Sequence, residues 1–221
     1  MEDEKTYRAK QILKILSTQF SVPQLTDIVS DPFKVLVRTI ISQSTAEANT
    51  RRAYQNLSHI ISINPTALAK ANMTEIEEAL KVAGLYRNKS RVLKKVAELV
   101  LKEFNGSIGF IYTSSLEDAR KKLMSLPGVG SKTADIVLLF SAGKPTLPVD
   151  THVNRVSKRL MLVPSNGDYE TVRESLQKLY QTEEYFKVHM LFIALGRKYC
   201  KALKPLHLTC PVRELCPSAG T

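Results

Sequence analysis

The spacing of apolar residues most strongly limits what this chain can fold into. Apolar side chains recur every three or four residues along most of the sequence, as at Ile12, Leu13 and Leu16 and again at Val92 and Val96. This spacing gathers apolar side chains on one face of an α-helix, whereas a strand requires alternation, and runs of strict alternation are missing. Proline and glycine divide the pattern into segments of helix length. The sequence therefore predicts an all-α protein of about ten helices.

The size and charge of the chain limit its organisation and its partners. It has 221 residues, 43% of them hydrophobic, which is near the length at which one core divides into two. The 32 Lys and Arg residues outnumber the 21 Asp and Glu residues, and the formal net charge is +11. A folded basic surface binds polyanions, because neutralising phosphates releases their counterions. Charge alone would also fit a merely soluble basic protein, so it favours a nucleic-acid partner without requiring one.

The two ends of the sequence bear on location and cofactor. Residues 1–5 are acidic and lack the segments of a secretory signal, and the apolar run at 136–140 is too short to span a bilayer. We therefore expect an intracellular, reducing location, such as the cytoplasm, without a membrane. The cysteines, Cys200, Cys210 and Cys216, all fall in the last 22 residues. That arrangement suits metal ligation better than a disulfide framework.

A glycine-rich segment at 126–135 (LPGVGSKTAD) separates two helical patterns. Gly128 and Gly130 permit backbone conformations that other residues avoid, and Ser131 is a suitable N-cap for the second helix. Amide groups at the start of a helix can bind a phosphate oxygen, directly or through a cation. The segment therefore predicts a helix-hairpin-helix phosphate clamp, although a tight interhelical turn or a non-catalytic DNA-binding module would also fit it.

Lys132 and Asp150 are the candidate reactive groups. Lys132 lies in the first turn of the second hairpin helix, where the positive end of the helix dipole lowers the pKa of an amine. A neutral lysine is a nucleophile that can form a Schiff base, whereas a charged one would face solvent or phosphate. Asp150, in the segment 149–153 (VDTHV), is placed to cap another helix, a common structural role for aspartate. Its functional interpretation depends on a pairing with Lys132.

Together these segments resemble the endonuclease III family of helix-hairpin-helix DNA glycosylases. The resemblance extends over nearly the whole chain and is carried by the segments 33–45, 84–89, 126–137, 149–153 and 195–200. It implies base-excision repair of damaged DNA as the function.

The resemblance also implies the architecture. It predicts a two-lobed helical glycosylase fold, in which a six-helix barrel with the helix-hairpin-helix covers about 24–143. A discontinuous helical domain, residues 1–23 and 144–221, would carry a C-terminal metal-cluster loop. The active site would open between the lobes, with Lys132 and Asp150 facing each other.

The reaction implied by the resemblance is that of a bifunctional glycosylase and abasic-site lyase. The Lys132 amine would attack the sugar C1′ while Asp150 assists and stabilises the developing positive charge. The base would leave, and β-elimination from the Schiff base would cleave the strand. The expected substrate is double-stranded DNA with oxidised pyrimidines or abasic sites, bound by a monomer. Other base selectivity, for 8-oxoguanine or for uracil or thymine opposite guanine, stays open.

The resemblance further assigns residues that contact DNA. A damaged base must be everted from the helix before it can be attacked, and the gap must be filled. The positions that fill this gap in the family match Gln43 and Leu85. The hairpin residues expected to contact the backbone are Leu126, Gly128 and Gly130.

The cysteine-rich tail departs from the family pattern at one position. Cys200, His207, Cys210 and Cys216 are separated by six, two and five residues, the spacing at which the family carries four cysteines around a [4Fe–4S] cluster. Histidine thus stands at the second ligand position. The preserved spacing favours a [4Fe–4S] cluster with three Cys ligands and one His ligand. A three-iron cluster without His207, or tetrahedral zinc, stays open.

Overall fold

The computed structural model of the chain describes residues 3–27 and 31–220, so the first two residues of the acidic N-terminus, residues 28–30 and the last residue lie outside it. Within the described residues there are twelve α-helices and no β-strand, which confirms the all-α class. The helices are α1 (Glu4–Gln19), α2 (Pro32–Ser42), α3 (Glu47–Ile60), α4 (Pro65–Lys70), α5 (Met73–Leu80), α6 (Tyr86–Phe104), α7 (Phe110–Thr113), α8 (Leu116–Met124), α9 (Ser131–Ala142), α10 (Thr151–Arg159), α11 (Tyr169–Leu179) and α12 (Tyr185–Lys198). Short 3₁₀ turns cover Leu25–Asp27, Lys81–Ala83, Thr182–Glu184, His207–Thr209, Arg213–Leu215 and Pro217–Gly220. The prediction of about ten helices is low because α4 and α7, of six and four residues, are too short to leave a clear periodic pattern.

The helices fall into two compact units, each with its own apolar core. One, the continuous unit, consists of residues within 29–144 and contains α2 to α9. The other, the discontinuous unit, combines residues within 1–28 and within 145–221 and contains α1 and α10 to α12. Chain segments far apart in sequence therefore build the second core.

Capping side chains fix where helices of the continuous unit begin. The Asp31 carboxylate accepts a hydrogen bond from the Lys34 amide at 2.9 Å, and the Asn64 side chain accepts one from the Ala67 amide at 2.8 Å. In both helices a proline follows the cap, at a position where the missing N–H costs nothing. The caps satisfy amides that the first turn would leave unpaired. The core of this unit includes Leu36, Ile40, Leu57, Leu80 and Leu93.

The discontinuous unit joins the first helix of the chain to the last three. Ile12 and Leu16 of α1 are fully buried in its core, as their spacing predicts. Arg8 of the same helix donates hydrogen bonds to the carbonyl of Leu160 at 2.5 Å and to that of Leu215 at 3.1 Å. The N-terminal helix is therefore held by both apolar burial and polar contacts. None of the described helices combines the length and apolar character needed to cross a membrane.

Candidate active site

The turn between α8 and α9 is anchored by apolar side chains on either side of its first glycine. Leu126 and Val129 are buried in the core of the continuous unit, whereas Gly128 and Gly130 are exposed. The burial holds the turn in place while its glycine backbone faces outward. Only 3% of the surface of Leu126 is exposed, so its side chain packs in the core, and a contact of this residue with DNA stays a prediction.

The two glycines of the turn have different roles. Gly128 has φ +73°, and a Cβ atom placed on it would lie 2.8 Å from Cγ1 of Val92, so both its conformation and its surroundings require glycine. Gly130 has φ −93° and open space around it, and it is the N-cap of α9. The prediction that Ser131 caps this helix is wrong by one position, because Ser131 is already the first helical residue. Gly130 has no side chain with which to cap the α9 amides.

A buried ion pair braces the two helices of the hairpin. Arg120 of α8 contacts Asp135 of α9 through two hydrogen bonds, Nε to Oδ1 at 3.0 Å and Nη2 to Oδ2 at 3.3 Å. The Asp135 side chain is fully buried. This pair fixes the helix that carries Lys132, and the sequence analysis missed it, although an aspartate within an apolar helix was a signal for it.

Lys132 occupies the position that the sequence predicts. It is the second residue of α9 and is half-buried, in the first turn of the helix directly after the exposed glycine. Its neighbours in that turn are Thr133, which is buried, and Ser131, which is half-buried. The helix dipole at this end disfavours a positive charge.

Asp150 caps α10, as predicted. Its Oδ1 accepts a hydrogen bond from the Val153 amide at 2.7 Å. The two residues before it are held in place: Val149 is buried, and the carbonyl of Pro148 lies 2.8 Å from Nδ1 of His189. A carbonyl can only accept, so His189 carries its proton on Nδ1 and donates it. His189 is buried and positions the segment that leads to Asp150, a role that the sequence analysis did not foresee.

Lys132 belongs to the continuous unit and Asp150 to the discontinuous unit. Lys132 lies in the first turn of α9, and Asp150 caps the start of α10. Their pairing stays a prediction.

Gln43 is brought to the hairpin by a direct hydrogen bond. Its side-chain Nε2 donates to the carbonyl of Gly128 at 2.9 Å. Gln43 is the C-cap that follows α2, and the next residue, Ser44, has φ +52°. Gln43, which is expected to fill the gap in DNA, is therefore bonded to the turn that is expected to bind the DNA backbone.

Leu85 is exposed in a strained conformation. It has φ +47° and ψ +27°, lies just before α6, and leaves 68% of its surface exposed. A bulky residue with positive φ is an outlier that often marks a functional site. An exposed apolar side chain in this state fits the wedge that the resemblance assigns to Leu85.

The C-terminal loop gathers the four candidate ligands. Cys200, His207, Cys210 and Cys216 line one cavity, together with apolar side chains such as Leu195. Burial, followed by repulsion between neighbouring thiolates, raises the pKa of the thiols of Cys210 and Cys216. The described residues contain no group of three or more His, Cys, Asp or Glu side chains spaced for a single metal ion. The four side chains thus surround a common space without converging on one point.

Two arginines fasten this loop to α10. Arg155 Nε donates to the carbonyl of Cys200 at 2.9 Å. Arg159 Nη1 donates to the carbonyl of Lys201 at 2.6 Å and lies 3.5 Å from the Cys200 sulfur. The helix that Asp150 caps therefore also supports the cysteine loop.

The fold and these residues define a class of DNA-repair protein. The chain belongs to the HhH-GPD superfamily of base excision DNA repair proteins, whose family model matches residues 37–182, a range that includes the hairpin, Lys132 and Asp150.

Endonuclease III enzymes are similar to it over most of their length. Endonuclease III of Thermotoga maritima is 34% identical over 85% of this chain and 83% of the relative. Endonuclease III of Sulfolobus acidocaldarius is 30% identical over 95% of this chain and 92% of the relative. A structure of a non-covalent endonuclease III–DNA complex and one of a trapped covalent endonuclease III–DNA intermediate each match with a TM-score of 0.84 at 29% identity, covering 100% of this chain and 98% of that chain. These findings confirm the resemblance to endonuclease III and identify an enzyme, a DNA glycosylase, whose partner is DNA.

Proposed function

We propose that this protein is a bifunctional glycosylase that removes oxidised pyrimidines from duplex DNA and cleaves the strand at the abasic site by β-elimination. The observation that carries the proposal is a lysine, Lys132, in the first turn of the helix that follows an exposed glycine hairpin. A trapped covalent endonuclease III–DNA intermediate in the same fold supports a covalent adduct here as well. Such an enzyme would act as a monomer on chromosomal DNA, in the cytoplasm or at the nucleoid.

The reaction follows from the chemistry of an amine and a carboxylate. The Lys132 nitrogen forms a bond to C1′ as the bond to the base breaks, and the base leaves with that electron pair and takes up a proton. Asp150 stabilises the positive charge that develops on the sugar. The nitrogen loses a proton and the ring oxygen takes one up as the C1′–O4′ bond breaks, which gives a protonated Schiff base that acidifies the C2′ hydrogens. Removal of a C2′ proton expels the 3′-phosphate with the electron pair of the C3′–O bond and so cleaves the strand.

Base eversion needs groups that replace the lost stacking. We assign this role to Gln43 and Leu85, which lie on two loops of the continuous unit. The exposed Leu85 supplies an apolar wedge, and Gln43 supplies an amide held beside the Gly128 carbonyl. The outward-facing backbone of Gly128 and Gly130 would bind phosphate next to the everted nucleotide.

The test compares variants on a panel of damaged duplexes. Lys132→Gln should abolish strand cleavage, whereas Lys121→Gln, which removes an equal charge from the exposed face of the same hairpin, should cleave normally. Cleavage of a thymine glycol duplex in preference to duplexes with 8-oxoguanine, uracil or thymine opposite guanine would support the assigned substrate. Normal cleavage by Lys132→Gln would refute the nucleophile, and a preference for another lesion would refute the oxidised-pyrimidine assignment alone.

We infer that the cysteine loop holds a [4Fe–4S] cluster through Cys200, Cys210, Cys216 and His207. Its four donors surround one cavity, which suits a cluster better than a single ion, because zinc requires all donors within about 2.0–2.3 Å of one point. When bound, the cluster would supply structural cross-links. Without a cluster the loop is held by hydrogen bonds from Arg155, Arg159 and Arg8 and by the burial of Val212.

The protein as isolated without oxygen should contain about four iron and four sulfide atoms per chain and absorb visible light. His207→Cys should keep this content and shift the reduction potential of the cluster, because thiolate adds a negative charge that imidazole lacks. An unchanged potential in His207→Cys would exclude His207 as a ligand. Stoichiometric zinc or three iron atoms would instead support one of the other metal assignments.

A further inference from the structure

Lys89 is a buried lysine at the start of α6. Only 4% of its surface is exposed, so it cannot act as the phosphate-binding cation that a basic residue near a DNA-binding loop would suggest. Its Nζ donates to the hydroxyl of Thr45 at 2.5 Å and to the carbonyl of Ala83 at 2.9 Å. The three residues form what we call the lysine bridge.

The lysine bridge joins two loops that are distant in sequence. Thr45 lies two residues after Gln43, and Ala83 lies two residues before Leu85. The Thr45 oxygen also lies 2.5 Å from the Ala83 carbonyl. The lysine donates to the Thr45 oxygen, and the hydroxyl proton has two carbonyl acceptors, Ala83 and, at 3.1 Å, Gln43, of which Ala83 is the nearer. Each of the three groups thus contacts the other two.

Both loops contain strained backbone beside the lysine bridge. Ser44 has φ +52° and Leu85 has φ +47°. Gly84 has φ +63° and ψ +156°, a combination that is essentially restricted to glycine. Strained conformations persist only where the surroundings determine them, and they concentrate at functional sites. The lysine bridge links the loop that contains Ser44 to the loop that contains Gly84 and Leu85, next to these strained residues.

The burial of the Lys89 amine is unfavourable by itself. Burial lowers the pKa of Lys89, since removal from water disfavours the charged form. A methionine would fill similar space without that cost, and Thr45 could still donate to Ala83. Lys89 is thus poorly explained as a stabilising residue, and its geometric effect on the two loops is the better explanation.

We infer that Lys89 is a positioning residue that fixes the separation between Gln43 and Leu85, so that both can enter the gap left by an everted nucleotide. The inference rests on the proposed function, because it assigns to those two side chains the filling of the gap. Lys89 acts on eversion and has no part in bond breaking. Its loss should therefore affect duplex substrates, where a stack must be opened, far more than single-stranded abasic DNA.

The experiment compares Lys89→Met with a matched control, Lys94→Met. Lys94 also lies on α6 and also donates to two carbonyls, those of Ala69 at 2.9 Å and Ala71 at 2.6 Å, but these belong to the end of α4. Thr45→Val removes the lysine bridge from its other side, together with the 3.1 Å contact between the Thr45 hydroxyl and the Gln43 carbonyl, and serves as a second variant. Gap filling is read from 2-aminopurine placed opposite a non-cleavable abasic analogue, and catalysis from single-turnover cleavage of lesion duplex and of single-stranded abasic DNA.

Lys89→Met and Thr45→Val should lower the duplex rate by about tenfold or more, because small misplacements of positioning groups have effects of this size. Both should reduce the 2-aminopurine response and leave cleavage of single-stranded abasic DNA within about twofold of wild type. Lys94→Met should match wild type in every assay. A wild-type 2-aminopurine response and duplex rate in both bridge variants would overturn the inference, as would an equal loss on both substrates.

The two proposals fail in different ways. If the wild-type protein cleaved neither substrate, the proposed function would be refuted. The 2-aminopurine response requires binding alone, so it would still show whether Lys89 sets the spacing of the two loops.

Discussion

At the scale of single residues, the turn between α8 and α9 contains two glycines with different requirements. Gly128 combines positive φ with a close approach to Val92, whereas Gly130 has an ordinary φ and open space at its Cβ position. One glycine is needed for the fold of the turn. The other leaves room beside the helix start where phosphate is proposed to bind.

Gly128→Ala should therefore lower the free energy of unfolding by about 1–3 kcal/mol, through backbone strain and contact with Val92. Gly130→Ala, the matched control, should cost no more than about 1 kcal/mol, because its φ is ordinary and alanine is only a poorer N-cap than glycine. Urea unfolding followed by circular dichroism gives both values. Equal losses in the two variants would show that the turn does not depend on the conformation of Gly128.

At the scale of secondary-structure elements, the hairpin is stiffened by the Arg120–Asp135 pair. The aspartate is fully buried and the arginine nearly so. Removing the guanidinium would leave a buried carboxylate without its cationic partner, which is more costly than removing both charges.

Arg120→Met should destabilise the protein by about 3 kcal/mol or more, whereas Lys121→Met at the exposed neighbouring position should have an effect within about 0.5 kcal/mol. The double variant Arg120→Met with Asp135→Leu should lose less stability than Arg120→Met alone. Thermal and urea unfolding of the two single variants and the double variant test this order of stability. A double variant less stable than the single one would contradict the account.

α10 connects two proposed sites of the discontinuous unit. Asp150 caps its start, and Arg155 and Arg159 hold the cysteine loop along its length. Loss of the proposed cluster should therefore loosen the helix that presents Asp150. Such coupling would let the proposed cluster influence catalysis without any electron transfer.

At the scale of the whole molecule, local patterns in the sequence predict local structure well. Helical periodicity predicts the all-α class, and the positions of Lys132 and Asp150 at helix starts follow from glycine and capping patterns. Long-range contacts have no such local signal. The lysine bridge to Thr45 and the bond from His189 to Pro148 each join segments about forty residues apart. Their roles appear only once the chain is folded.

The net charge of +11 should dominate DNA affinity. Binding to undamaged duplex should weaken steeply with salt, with a log–log slope of about −0.9 for each phosphate contacted. Lys132→Gln should change that slope by no more than about one, because it removes a single cation. Fluorescence anisotropy at several salt concentrations measures both slopes. A large loss of affinity in this variant would mean that Lys132 is primarily a phosphate contact.

The proposed reaction requires that the Lys132 amine form a covalent bond with the sugar of the damaged nucleotide. The most direct measurement is borohydride reduction of the protein on abasic duplex DNA, followed by digestion and mass spectrometry of the linked peptide. We expect one reduced adduct, located on Lys132, and none in Lys132→Gln. An adduct on another amine, or an active enzyme that forms no adduct, would contradict the proposed reaction.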